Sequence, residues 1–261
     1  MRLVALDIDG TTVDHEGVLS PAVRAAVRDT AAAGMHVVIA TGRSVVSTTE
    51  VLSELGLTSG YAVCSNGAVT IELDPCEPAG YRMLDVVTFD PGPALRILRD
   101  QLPGVLVAVE ELGVGFMVSA PFPDGELSGA HRVVSWEELI GSPATRVTLR
   151  DPESSAEEFL EQAHRAGLHG VGYAVGWTAW LDLSPEGVSK ASALELLRRR
   201  MGVEPADTVA VGDMRNDIEM LQWAARGVAM GNAPDEVKAV ADEVTGDVVD
   251  DGLVPVLRSL L

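Results

Sequence analysis

The stretch Leu3-Val4-Ala5-Leu6-Asp7-Ile8-Asp9-Gly10-Thr11 decides the fold. Four apolar residues in a row, with no polar alternation, read as a strand buried on both faces, the kind a parallel sheet uses. The acids begin where the apolar run stops. A polar loop therefore follows the strand's C-terminal end, which is where open α/β sheets bind their ligands.

Working outward, Ser20-Pro21 supplies an N-cap and a first-turn proline, and Val23, Ala26, Val27, Thr30 and Ala31 recur at helical spacing until Gly34. His36 to Ala40 is a second buried strand ending at Thr41-Gly42-Arg43, a helix follows to Gly56, and Tyr61 to Cys64 is a third strand before the Ser65-Asn66-Gly67 turn. This alternation predicts a doubly wound sheet. From about Arg82 the rhythm changes, because strand-like runs come in adjacent pairs: 105–110 with 114–118, and 171–175 with 179–183. Helices are expected over 92–102 and, opened by a capping box at Ser154-Ser155-Ala156-Glu157, to about Ala166. After Ser184-Pro185 the α/β rhythm returns with a helix from Lys190 to Met201 and a strand from Thr208 to Val211 running into Gly212-Asp213. The expected fold class is α/β: a Rossmann-like parallel-sheet core over 1–80 and 185–261, carrying an α+β domain inserted over 81–184.

Composition narrows the function. A net charge of −20 repels polyanions, so nucleic acid is not an expected partner, and a phosphorylated ligand would need positive charge supplied locally. Cys64 and Cys76 have no metal-ligand spacing and suggest no disulfide framework. No apolar run nears the roughly 20 residues of a membrane span, and the first strand begins too early for a signal peptide, so a cytoplasmic protein is expected. Arginine supplies 17 of the 19 basic residues; the two lysines are Lys190 and Lys238.

Four polar clusters each follow a predicted strand or open a helix: Asp7-Ile8-Asp9-Gly10-Thr11, Thr41-Gly42-Arg43, Lys190, and Gly212-Asp213 with Asn216-Asp217. In this order they resemble the four motifs of the haloacid-dehalogenase phosphatase superfamily. The insertion between the second and third, with Ser65-Asn66-Gly67-Ala68 before it and Gly187-Val188-Ser189-Lys190 after it, is similar to the Cof-type subfamily. Thr12, Ala191 and Met214-Arg215 depart from the family pattern, which bears on substrate choice more than on chemistry.

Phosphate monoesters are dianions that repel nucleophiles, so their hydrolysis needs positioning and charge neutralisation. Asp7 at a strand end is placed to attack phosphorus and form an aspartyl-phosphate; Asp9, two residues on, would protonate the leaving alcohol and then take a proton from water. Mg²⁺ prefers a few carboxylates, waters and substrate phosphate, which Asp7, Asp213 and the Asp9 carbonyl would satisfy. The resemblance further implies that Asp217 orients the metal's ligands and that Ile8, Thr41, Gly42, Lys190 and Asn216 bind phosphate. A lysine at position 190 in an arginine-rich chain suits a compact point charge at a crowded site.

Arg43 and Arg215 are expected to form surface salt bridges, and the histidines, His15, His36, His131, His164 and His169, form no metal pattern. Gly113-Val114-Gly115 and Gly170-Val171-Gly172 lack the third glycine of a dinucleotide fingerprint and read as turn or strand glycines. The expected activity is Mg²⁺-dependent hydrolysis of a small phosphorylated metabolite by a monomer or weak homodimer. A phosphomutase or a non-enzymatic phosphometabolite sensor are the alternatives the same core could serve. The insert would close over the site, with Trp177, Trp180, Glu110 and Arg132 as candidates for choosing the leaving group.

Overall fold

A computed structural model describes residues 1–102, 104–166, 171–175 and 180–261. It divides into two compact units, one of residues 1–43, 48–85 and 189–261 and the other of 44–47 and 86–188. Along the chain, the first unit's opening elements are β1 (Leu3–Leu6), α1 (Pro21–Ala32), β2 (His36–Ala40), α2 (Val45–Leu55), β3 (Gly60–Cys64), β4 (Val69–Leu73) and β5 (Tyr81–Val86). The insert contributes α3 (Gly92–Gln101), β6 (Leu106–Glu111), β7 (Gly115–Val118), β8 (Ala130–Val133), α4 (Trp136–Gly141), β9 (Val147–Arg150), α5 (Ala156–Ala166), β10 (Val171–Val175) and β11 (Trp180–Pro185). The first unit is then completed by α6 (Lys190–Arg200), β12 (Thr208–Gly212), α7 (Ile218–Trp223), β13 (Arg226–Ala229), α8 (Asp235–Lys238), β14 (Glu243–Val244) and α9 (Leu253–Arg258).

The core sheet has the order β14-β13-β12-β1-β2-β3-β4-β5, with β1 hydrogen-bonded in parallel to both β2 and β12. Residues Leu3 to Leu6 are wholly buried, as the unbroken apolar run requires of a central strand. Strand order reverses direction at β1, so the loops after β1 and β12 leave the sheet side by side at its C-terminal edge. Helix α1 starts as its sequence predicts, with the Ser20 hydroxyl accepting from the Val23 N–H at 3.1 Å.

Two local readings need correction. The box opening α5 forms one residue later than the Ser154–Glu157 pattern: Ser155 Oγ accepts from the Glu158 N–H at 3.3 Å, and Glu158 reaches back to the Ser155 N–H at 3.1 Å. Both tetrapeptide registers satisfy the motif, and the helix's register selects the second. Beyond the Ser65-Asn66-Gly67 turn, the chain also returns as an unanticipated antiparallel strand, β4, paired residue by residue with β3.

The insert's six-stranded sheet runs β10-β11-β9-β6-β7-β8. Val107, Val109, Met117, Val147, Leu149, Leu181 and Leu183 form one apolar cluster with Leu95 and Leu98 of α3, Leu139 of α4 and Phe159 of α5. The alternate residues of the same strands carry Glu110, Phe116, Thr148, Trp180 and Asp182. Trp177 and His169 lie outside the described residues. Arg132 is tied to Glu111 and Glu138 on the surface, at 3.0 and 2.6 Å.

Candidate active site

Each of the four sequence clusters occupies a strand end or helix start of the core unit, and hydrogen bonds knit their loops together. After β1 the chain folds back on itself: the N–H groups of Thr12 and Val13 both donate to the Ile8 carbonyl, at 2.8 and 2.9 Å. The Thr12 hydroxyl donates to the Asp7 carbonyl at 2.6 Å, which gives the family-atypical threonine a structural task. Gly10 is at φ +81°, and a Cβ there would stand 2.3 Å from Asp213 Oδ2, so only glycine lets this loop approach the β12 loop so closely.

Asp7, Lys190, Asp213 and Asp217 are all buried. Lys190 Nζ, on a side chain 1% exposed, donates to Asp7 Oδ1 at 2.6 Å and to Asp217 Oδ1 at 2.7 Å. A cation in the first turn of a helix opposes the helix dipole, so α6 by itself would disfavour lysine at its first position. The two carboxylates reverse that balance. Burial works to lower the Lys190 ammonium, but Asp217 and Asp7 outweigh it and hold it above the usual lysine value. Burial, then the Asp217 charge, push the Asp7 carboxyl well above the ordinary carboxylate range, against the pull of Lys190.

Asp217 is held on three sides, because its Oδ2 accepts from the Asp213 and Met214 N–H groups at 3.0 and 2.9 Å while Oδ1 receives Lys190. Asp213 accepts from the Thr11 hydroxyl at 2.8 Å through Oδ1 and from the Asn232 amide at 3.2 Å through Oδ2. Burial and the neighbouring Asp217 push Asp213 up to about 7, with the Thr11 bond working the other way. Among the described residues, Asp7, Asp213 and Asp217 offer carboxylate oxygens within 4.8 Å of one another, close enough to share an ion.

The second motif loop is pinned to the Ser65–Gly67 turn. Asn66 N–H donates to the Thr41 carbonyl at 3.0 Å, and Ser65 N–H to the Arg43 carbonyl at 2.8 Å. Asn216 Nδ2 in turn donates to Asn66 Oδ1 at 2.9 Å, so the β2, β3 and β12 loops share one polar network. Gly67, at φ +103°, lets that turn pass the carbonyl of Ser189, which a Cβ would approach to 2.2 Å, and so sets the start of α6 and Lys190.

Asp9 stands apart from the buried group. Its side chain is 55% exposed, and both its oxygens are gripped by Arg43, with Nε at 2.9 Å and Nη2 at 2.5 Å. Arg43 thus makes the expected salt bridge, but with a motif acid. Arg215 pairs on the surface with Glu236 at 2.5 Å. Two residues to which the sequence reading gave no site role belong here: Asn66, and Asn232, whose amide also donates to the Gly10 carbonyl at 2.9 Å while its oxygen accepts from the Val248 N–H at 3.0 Å. Asn232 follows the end of β13, so its position beyond a parallel strand was the signal available.

Comparison with known proteins gives a consistent picture. A sequence profile described as haloacid dehalogenase-like hydrolase matches residues 4–79 and 127–257. The pyridoxal phosphate phosphatase YbhA of Escherichia coli is 29% identical, the alignment covering 100% of this chain and 98% of that one. The 5-amino-6-(5-phospho-D-ribitylamino)uracil phosphatase YcsE of Bacillus subtilis is 26% identical over 99% of this chain and 95% of its own. Among solved structures, BT1666 of Bacteroides thetaiotaomicron, described as a phosphatase of the haloalkanoate superfamily, superposes with a TM-score of 0.81 at 27% identity, covering 99% of this chain and 94% of that chain.

Proposed function

Because the chain belongs to the haloacid dehalogenase-like hydrolases and is a phosphoric monoester hydrolase of that type, we propose that it is a Mg²⁺-dependent phosphatase that transfers the phosphoryl group of a small metabolite, such as a sugar phosphate, to Asp7 and then to water. The observation that carries this reading is the buried Lys190 bridging Asp7 and Asp217 at the meeting point of the β1 and β12 loops. The relatives named above act on small phosphorylated molecules, which supports the substrate class.

The donor set fits a hard divalent cation. Three buried carboxylates face a single lysine, all candidate donors are oxygens, and burial, with the Asp217 charge behind it, raises Asp213 to about 7 despite the lysine. Asp7, Asp213 and the Asp9 carbonyl would hold Mg²⁺, and Asp217, already bonded to two N–H groups and Lys190, would fix their orientation. When bound, the ion would supply charge neutralisation at the phosphoryl oxygens.

The chain's own groups do the rest. Asp7 attacks phosphorus while Lys190 offsets the repulsion between that carboxylate and the dianion. The Ile8 backbone, the Thr41 hydroxyl with the Gly42 turn, and Asn216 bind the phosphoryl oxygens; Thr41 Oγ1 accepts from the Arg43 N–H at 3.1 Å, which fixes the rotor and leaves its proton to donate. Asp9 protonates the departing alkoxide and then deprotonates the water that attacks the aspartyl-phosphate. The insert, which carries none of the four motif clusters, is the segment we assign to choosing the leaving group. A cytoplasmic monomer or weak homodimer fits two cysteines that form no disulfide and a net charge of −20; among the described residues no helix is long and apolar enough to cross a membrane.

The test is release of inorganic phosphate from a panel of sugar phosphates, nucleotides and cofactor phosphates, with Mg²⁺ and with a chelator. Turnover of at least one class, abolished by the chelator and restored by Mg²⁺, is expected. Chelator-insensitive turnover, or none across the panel, contradicts the reading.

A further inference from the structure

We propose that Arg43 is a positioning residue for Asp9, fixing the carboxylate that exchanges protons with the leaving group and water. The inference rests on the acid and base role given to Asp9 above.

Asp9 would otherwise be poorly placed for proton transfer. It sits on a loop, is more than half exposed, and has two rotatable side-chain bonds, so its oxygens would sample several positions in water. Proton transfer needs the carboxyl within hydrogen-bond reach of the bridging ester oxygen, and small misplacements are costly. Arg43 removes that freedom. Its Nε and Nη2 meet the two different oxygens of Asp9, a fork that sets both the direction and the rotation of the carboxylate plane.

The fork itself has a fixed origin. Arg43 N–H donates to the Thr41 hydroxyl within its own loop and its carbonyl accepts from the Ser65 N–H at 2.8 Å, so the backbone that launches the guanidinium is braced locally and tied to the turn after β3. The guanidinium therefore relates Asp9, on the β1 loop, to the loop assigned to phosphate binding, and one side chain keeps the proton donor in register with the phosphoryl group.

Neither stability nor composition accounts for the pair as well. As a stability device, an ion pair whose acid is more than half exposed contributes only about 0–1 kcal/mol. As a mere consequence of composition, arginine is what this chain uses nearly everywhere, so its identity says little; it is the bidentate geometry on a motif acid that lysine could not reproduce. Arg215, an arginine twice as exposed as Arg43, contacts Glu236 through its Nε.

The experiment measures kcat and KM of the full chain with Mg²⁺ for one alkyl phosphate and for 4-nitrophenyl phosphate, whose leaving group needs little protonation. The variants are Arg43→Ala, Arg43→Gln, Arg43→Lys, Asp9→Asn and the Arg43→Ala/Asp9→Asn pair. Arg43→Ala and Arg43→Gln should lower kcat for the alkyl ester about 10-fold or more beyond any loss on the aryl ester, since general acid catalysis typically contributes 10²–10⁴. Lysine should not restore it, guanidinium added to Arg43→Ala should restore part, and the double variant should be no slower on the alkyl ester than Asp9→Asn. Equal losses on both esters, a raised KM with unchanged kcat, or additive losses in the double variant would overturn the proposal. If Asp9→Asn itself fails to discriminate between the esters, the role of Asp9 falls first, and the proposal falls with it.

Discussion

The two units each bury a cation among carboxylates, and they do so differently. In the core, Lys190 meets Asp7 and Asp217 at 2.6 and 2.7 Å, and Asp213 leaves the group with more negative charge than one lysine can balance. In the insert, Arg146 lies 4.0 Å from Glu110 and 3.6 Å from Asp182 and sits over the Phe116 ring at 5.3 Å. The acids there accept from hydroxyls and an indole: Thr145 donates to Glu110 at 3.0 Å, and Thr148 and Trp180 donate to Asp182 at 2.7 and 3.2 Å. The core group stands on loops beyond strand ends, where backbone can bend toward a ligand. The insert group stands on or beside mid-sheet positions whose directions the pleat has already set. Charge concentrated at loop ends and left in excess prepares a site for a cation and a phosphate; charge set along strands around one arginine, with hydroxyl and indole donors added, is compatible with architecture alone.

The largest effect expected from this contrast is at Asp213. We expect Asp213→Asn to lower turnover by at least ~10³, because preorganised charge at the phosphoryl group is lost. In metal-free buffer the same change should stabilise the protein. The sign follows from its pKa: folding raises Asp213 from an ordinary 3.8 to about 7, so the folded state holds a proton that the unfolded chain releases, and stability falls as pH rises through that window. The variant's advantage should be absent below pH 4, grow toward pH 7, and reach on the order of 2 kcal/mol, reduced from the full linkage value because the asparagine amide cannot accept both existing bonds. Saturating Mg²⁺ should reverse the order by stabilising the parent alone. Thermal melts across pH, with and without Mg²⁺, check this.

A smaller effect separates ligand from support. Asn232→Ala leaves every carboxylate in place but frees Asp213 Oδ2, and should weaken Mg²⁺ or Mn²⁺ binding about 10- to 100-fold, measured by calorimetric titration of the chelator-treated protein. Unchanged affinity would mean that Thr11 alone orients Asp213. The smallest effect belongs to the insert. Trp180 donates to Asp182 and packs edge-on to Phe122 at 6.4 Å, so Trp180→Ala should lower the melting temperature and reduce kcat/KM for sugar and aryl phosphates in equal proportion, within about 2-fold. A selective loss on the sugar ester would instead make this ring a reader of the leaving group.

The same contrast explains what the sequence disclosed. Strands β1, β2 and β12 were legible because a parallel strand buried on both faces is an unbroken apolar run, and its end is marked where polar residues begin. That position carried Asp7, Thr41 and Asp213 into view together. Asn232, Asn66 and Thr11 were not legible in their roles, since each acts on a residue far along the chain, 150 positions away for Asn66 with Asn216 and 202 for Thr11 with Asp213. Asp9 and Arg43 were both read, yet their pairing was not, because a fork across 34 residues depends on how two loops leave neighbouring strands. The insert was harder: β8 and β9 have four residues each and α4 only six, too short for periodicity, and α4 went unread although Ser135 caps it, its hydroxyl accepting from the Glu138 N–H at 3.2 Å.

The central claim is that Asp7 carries the phosphoryl group. Quenching the enzyme during turnover and reducing it with borohydride converts an acyl phosphate to an alcohol, so peptide mass spectrometry should find homoserine at position 7, absent without substrate and absent in Asp7→Asn, which should release no phosphate. Turnover with no modification at Asp7, or with the modification on another acid, would contradict the account.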